Sequence, residues 1–175
     1  MKQFNRNIVK QAGVSVLEVL ISLAIIGLVI AAAVGGASLA FSAQSTNNMT
    51  SEVSSIRNTT KNFYSKATSY GTASLNLNLI AAKAFPDYLK VNTTTGVVTN
   101  SFGGNIDITG ATTGFTISYT LVPQDVCVKH IANSGSGGLQ TVAVNGGAAL
   151  PVPVSPNSAV TACNAATNSI IWTTS

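Results

Sequence analysis

Charge is the scarcest property of this 175-residue chain: only 8% of its residues are Asp, Glu, Lys or Arg, against 46% hydrophobic. That is too few charges for an ordinary cytosolic domain. It is also too much apolar side chain for a disordered one. The nine basic and five acidic residues leave a formal charge of +4, but Lys2, Arg6 and Lys10 all lie in the first thirteen positions. The remainder of the chain is nearly neutral and has no Lys/Arg run, which argues against a nucleic-acid-binding face. The early cations read instead as an orientation signal held on the cytoplasmic side of a membrane.

Histidine is nearly absent. His130 has no companion at metal-ligand spacing apart from Cys127, and Asp87, Asp107 and Asp125 are scattered rather than set in a calcium loop. No phosphate-binding or dinucleotide fingerprint occurs. With no catalytic constellation, the chain is not expected to be an enzyme or to carry a cofactor or metal. Cysteine is limited to Cys127 and Cys163. An even count beside an export signal favours one disulfide, with two buried free thiols as the alternative.

Against these absences stands one long apolar run. After the polar, basic MKQFNRNIVKQAG comes VSVLEVLISLAIIGLVIAAAVGGASLAFSA, with no charged side chain from Val19 to Ser51. Roughly 20 apolar residues suffice to cross a bilayer core, and such a segment must be helical to satisfy its own backbone. Glu18 interrupts the start of the run. A carboxylate costs on the order of 3 kcal/mol at mid-membrane and less near the interface, so it either marks the membrane edge or awaits a cation. Cutting after Gly13 would supply one, because the new amine of Val14 lies four residues from Glu18. Within one helix the two could meet. Between subunits, one Glu18 could neutralise a neighbour's amine and set the axial stagger. A secretory signal peptide cut after Ala40, releasing a binding domain from Phe41, is the competing reading, although the apolar stretch exceeds an h-region of about 7–15 residues.

The junction Gly13, Val14-Ser15-Val16-Leu17-Glu18, joined to the basic leader and the uncharged helix, resembles the class III signal of type IV prepilins. The resemblance implies a membrane peptidase that cuts after Gly13 and methylates the Val14 amine. It also makes Glu18 an assembly residue. The Val14 terminus, the long leader, the absence of proline before Pro86 and the segment between the cysteines resemble the type IVb branch. The implied protein is the major subunit of a surface filament, held in the bacterial inner membrane as a precursor and later extracellular. Its partners would be its own copies, the prepilin peptidase, the pilus assembly machinery and a host or recipient-cell surface. Adhesion, aggregation, motility and cell-to-cell DNA transfer would all suit such a filament. A type II secretion pseudopilin is the alternative within the same logic.

The expected fold is α+β. Residues 1–13 form a leader and residues 14–70 a long helix, membrane-spanning and then amphipathic. Residues 71–175 form a head in which that helix packs on an antiparallel sheet with a disulfide-bounded C-terminal region. Met49, Val53, Ile56, Thr60, Phe63, Ala67 and Tyr70 recur at helical spacing, and Gly71 is the expected stop. A short helix is expected at Leu77–Lys83, ended by Pro86. Strands are expected at Gly96–Thr99, Phe102–Thr109, Phe115–Val122, Leu139–Val144 and Ser169–Thr173, with Phe115, Ile117, Tyr119 and Leu121 sharing a face. Asp125 is expected to cap a helix Val126–Asn133, and Cys163 to lie in a second one, Ala159–Ala166. Ser134–Gly138 should be a flexible turn and Gly146–Pro156 a loop.

Overall fold

The computed structural model describes residues 15–135 and 137–175, and no side chain is described for 35–39. Gly13 and Val14, the expected cleavage and methylation positions, lie outside the described residues. The chain divides into two compact units, Met1–Ala40 and Phe41–Ser175. Helix α1, Val16–Phe63, contributes its first part to one unit and the remainder to the other.

In the first unit α1 is apolar all round. Val16–Val34 has a mean hydropathy of 2.7 with none of its side chains buried. It is the one helix among the described residues that is long and apolar enough to cross a membrane. A uniformly apolar helix with nothing packed on it needs lipid or other helices around it.

In the second unit the rest of α1 lays Met49, Val53 and Ile56 into a core built largely from a seven-stranded sheet. The strands are β1 (Lys90–Val91), β2 (Val98–Thr99), β3 (Asn105–Ala111), β4 (Gly114–Pro123), β5 (Leu139–Val144), β6 (Leu150–Pro151) and β7 (Thr167–Thr174). All pair antiparallel, in the order β1-β2-β3-β4-β7-β5-β6. The C-terminal strand is thus inserted between β4 and β5. Its alternation buries Asn168, Ile170, Trp172 and Thr174, the period of two that a sheet with one covered face demands. A short helix, α2 (Asn76–Ala81), precedes the sheet. Helix α3 (Gln124–Asn133) follows β4 directly, and α4 (Pro156–Ala162) precedes the final strand. Cys127 on α3 is bonded to Cys163, the C-terminal cap of α4, with Cα atoms 6.0 Å apart. The expected α+β class, antiparallel sheet and disulfide-bounded C-terminal region are all present.

Several boundaries differ from the periodicity. Helix α1 ends at Phe63 rather than Tyr70, leaving Phe63 51% exposed and Ala67 at the surface. Ser65, Thr68 and Ser69 favour local turns over helix, and Ser69 Oγ accepts from the Gly71 amide at 3.0 Å. The chain turns so that Tyr64 packs on Tyr70 and Tyr70 on Phe115, with centroids 5.3 and 5.1 Å apart. This path lays the Tyr70–Gly71 backbone against Gly110, where a Cβ would collide with two carbonyl oxygens.

Helix α2 ends at Ala81, two residues short of the expected Lys83. Strand β3 begins at Asn105, not Phe102, because Asn100 Oδ1 accepts from the Phe102 and Gly104 amides at 2.9 Å each and holds a turn. Leu121 does not share the inward face. It takes φ +58° at a bulge between Tyr119 and Val122, so it is exposed and Val122 is buried instead. One extra residue in a bulge shifts the alternation. Asp125 is not a cap: Pro123 occupies that position of α3 without a side-chain bond, and Asp125 lies in the first turn. Helix α4 is capped by Ser155, whose Oγ accepts from the Ser158 amide at 3.2 Å, and it ends before Cys163.

Candidate assembly site and buried polar groups

Glu18 lies in the first turn of α1, exposed. A carboxylate there faces the positive end of the helix dipole, a favourable place for it. Ser22 Oγ donates to the Glu18 carbonyl at 2.8 Å, which absorbs the only hydroxyl of the next turn into the helix backbone. The segment Val16–Val34 therefore offers a partner one charged group, near its start, on an otherwise apolar cylinder.

The second unit holds polar groups of another kind. Glu52 is 1% exposed. Ser101 Oγ donates to one carboxylate oxygen at 2.8 Å and the Tyr119 hydroxyl to the other at 3.3 Å. Burial raises its pKa above the usual carboxylate value, against the opposing hydrogen bonds from Ser101, Tyr119 and Tyr88. Burial pushes the Tyr119 hydroxyl well up, and the Glu52 charge adds to this. Glu52 thereby ties α1 to the β2–β3 turn and to β4. Periodicity overlooked it, yet the signal was there: Glu52 is three residues after Met49 and next to Val53, so the stripe carries a carboxylate on its buried face.

His130 is 2% exposed on α3. Its Nδ1 lies 3.1 Å from Thr50 Oγ1, and its ring meets Trp172 edge-on with centroids 5.2 Å apart. Burial lowers its pKa to about 4, so it is neutral at pH 7. Nearby, Lys129 Nζ donates to Ser42 Oγ at 2.6 Å, fastening α3 to α1. No group of three His, Cys, Asp or Glu side chains capable of holding a metal occurs among the described residues. A cleft of about 510 Å³ beside α4 is lined by amides, hydroxyls and small apolar groups such as Asn145, Leu150, Asn157 and Thr161, with no ionisable side chain.

The family described as PilS N terminal matches residues 43–175. The chain belongs to that family. It is a type IV pilin-like protein. The match covers the whole sheet and the amphipathic part of α1, whereas the apolar run precedes it, so the Gly13–Glu18 junction and the family match are independent observations. No curated protein matches the chain. Of the residues singled out in the sequence, the structure joins Cys127 to Cys163 within this PilS-family head and places Glu18 alone on the apolar helix.

Proposed function

We propose that this chain is the major subunit of a type IVb-like pilus, assembled through its N-terminal helix. The carrying observation is the wholly exposed apolar helix Val16–Val34, bearing Glu18 as its one charge, in a chain of a pilin family. In the membrane that helix is surrounded by lipid. In a filament the same surface meets neighbouring helices, and dispersion contacts replace lipid contacts with little change in solvation. Cohesion of this kind is non-directional, so register needs a polar element. An unpaired carboxylate moved into hydrocarbon costs on the order of 3 kcal/mol. A neighbour's Val14 amine, freed by a prepilin peptidase after Gly13 and methylated, would offset that cost at one stagger only. The head, braced by the Cys127–Cys163 bond, would form the extracellular surface that meets a host or recipient cell.

Replacing Glu18 with Ala is expected to leave membrane insertion intact and to reduce filament yield by about tenfold or more, counted by electron microscopy of sheared surface fractions. Normal filaments from that variant would refute the register role. Intact mass of the wild type tests processing. A chain starting at Val14 with one added methyl group and two hydrogens fewer than the reduced form is expected. The second compact unit begins at Phe41, the residue that would open a secreted domain cut after Ala40, and a mass starting there would replace the pilus reading. Processing at Val14 without long filaments would favour a secretion pseudopilin.

A further inference from the structure

Asn145 is the only asparagine in the chain followed by glycine. Asparagine deamidates most readily in that dipeptide, because the glycine nitrogen has no Cβ beside it to hinder attack on the carboxamide. The pair lies exposed just after β5, with Asn145 at φ +52° and Gly146 at φ +70°. The Gly147 amide donates to the Val144 carbonyl at 2.8 Å and closes the turn. Water is at hand, so the geometry of the carboxamide decides whether it reacts.

Both ends of that carboxamide are committed. Asn145 Oδ1 accepts from the Ser169 amide at 2.9 Å, and Nδ2 donates to Asn168 Oδ1 at 2.8 Å. A longer donation from Nδ2 reaches Asn164 Oδ1 at 3.5 Å. The backbone fixes this orientation: an amide N–H only donates, so the atom facing Ser169 is the oxygen. Asn168 is fixed in the same way. It is 1% exposed, its Oδ1 accepts from the Ala165 amide at 3.3 Å, and its Nδ2 donates to the Ala165 carbonyl at 2.8 Å. The Asn145 amide also donates to the Ser169 carbonyl at 2.9 Å. Two asparagines thus join the end of β5 to the start of β7 and to the turn after α4.

We propose that Asn145 is a deamidation site held shut by this network: the folded head keeps the amide, and a chain in which this end of the β5–β7 pair opens loses it irreversibly. The Gly146 nitrogen attacks Cγ of Asn145. A C–N bond forms, the Cγ–Nδ2 bond breaks, and Nδ2 leaves as ammonia with the Gly146 amide proton. Water then opens the cyclic imide at either carbonyl and leaves aspartate or isoaspartate at position 145. Overall, water is taken up and ammonia is released. At neutral pH the aspartate does not fit the native network. The atom replacing Nδ2 is an oxygen, facing Asn168 Oδ1 across a contact of 2.8 Å, and two acceptors cannot satisfy one another. Asn168 cannot turn without giving up both Ala165 bonds. Asn145 also lines the cleft beside α4, so the product introduces a carboxylate into a lining that has no ionisable side chain.

The test incubates the full chain in detergent micelles in mildly alkaline buffer, folded or in guanidinium chloride with the disulfide intact. Peptide mapping by mass spectrometry follows the amide at position 145. Deamidation in denaturant is expected to be about tenfold or more faster than in the folded chain. Equal rates would overturn the proposal, as would an unfolded chain that keeps its amide over the same interval. Asn168→Ala removes the acceptor of Nδ2 and leaves the Asn145–Gly146 pair intact. If Trp172 fluorescence shows this variant folded, its rate should exceed the wild type's by about threefold or more. If it is unfolded, its rate should match that of the wild type in denaturant. A folded Asn168→Ala variant with the wild-type rate would show that the network is not the lock. Asn145→Asp should lower the urea midpoint of the head at pH 7, and an unchanged midpoint would refute the one-way step.

Discussion

His130 should dominate how the head responds to mild acid. Its pKa is about 4 in the fold because burial disfavours the imidazolium, and about 6.5 in an unfolded chain. Between those values the unfolded state binds more protons than the native one, so stability falls as pH falls. Above pH 6.5 neither state is protonated and the term vanishes. Integrating from pH 7, the loss is about 2 kcal/mol at pH 5 and about 3 kcal/mol at pH 4. The perturbation is His130→Gln, which keeps a polar side chain of similar reach but cannot titrate. Its absolute stability will also change, because the packing on Trp172 and the Thr50 bond change, so the slope with pH is the quantity to compare. Trp172 is the only tryptophan, fully buried and edge-on to His130, and its fluorescence reports unfolding of the head directly. Urea titrations of the full chain in detergent at pH 4, 5, 6 and 7 give both slopes. The wild type should lose about 2 kcal/mol more than His130→Gln between pH 7 and 5. Parallel slopes would refute the assignment of the acid sensitivity to this residue.

Glu52 titrates with the opposite sign. Its folded pKa is raised above 4.5, so the native state holds its proton longer and stability falls as pH rises from 4.5 through that folded value. Glu52→Gln should remove this fall and steepen the net acid loss, read in the same urea series; an unchanged profile would contradict the burial effect. Glu52→Ala should destabilise at every pH by about 2–4 kcal/mol, since it leaves the buried Tyr119 hydroxyl without its acceptor and opens a gap beside Met49. Reducing the Cys127–Cys163 bond, which spans a sequence separation of 36, should lower head stability by about 4 kcal/mol on the chain-entropy account. A double Cys→Ala variant with an unchanged urea midpoint would show that the bond does not constrain the unfolded chain.

The division between sequence and tertiary structure follows interaction range. Local chemistry was legible in the residues themselves. The apolar stretch ending at Val34 dictated a helix, because no other backbone arrangement of a single segment satisfies itself in lipid. Spacing of three and four brought Met49, Val53 and Ile56 to one side. Alternation located β4, β5 and β7 within a residue or two, and an even pair of cysteines beside a segment read as an export signal pointed to a single bond. The errors occurred where a contact distant in sequence outweighed a local preference. Tyr70 leaves the helix to pack on Phe115, 45 positions away by sequence number. The bulge at Leu121 is set by pairing with β7 and reverses which neighbour is buried. Strands β1 and β6 are two residues each, too short for any periodicity, and exist only because a partner strand is present. Glu52 and His130 are single polar residues on apolar stripes, and although helical spacing points such a residue toward the core, sequence alone does not say which partners it finds there. Only the packing of α1, α3 and the sheet decided that, by placing Ser101 and Tyr119 around one and Thr50 and Trp172 around the other. Glu18, the proposed assembly residue, is the reverse case: its local sequence marks it out, and the fold of one chain leaves it exposed.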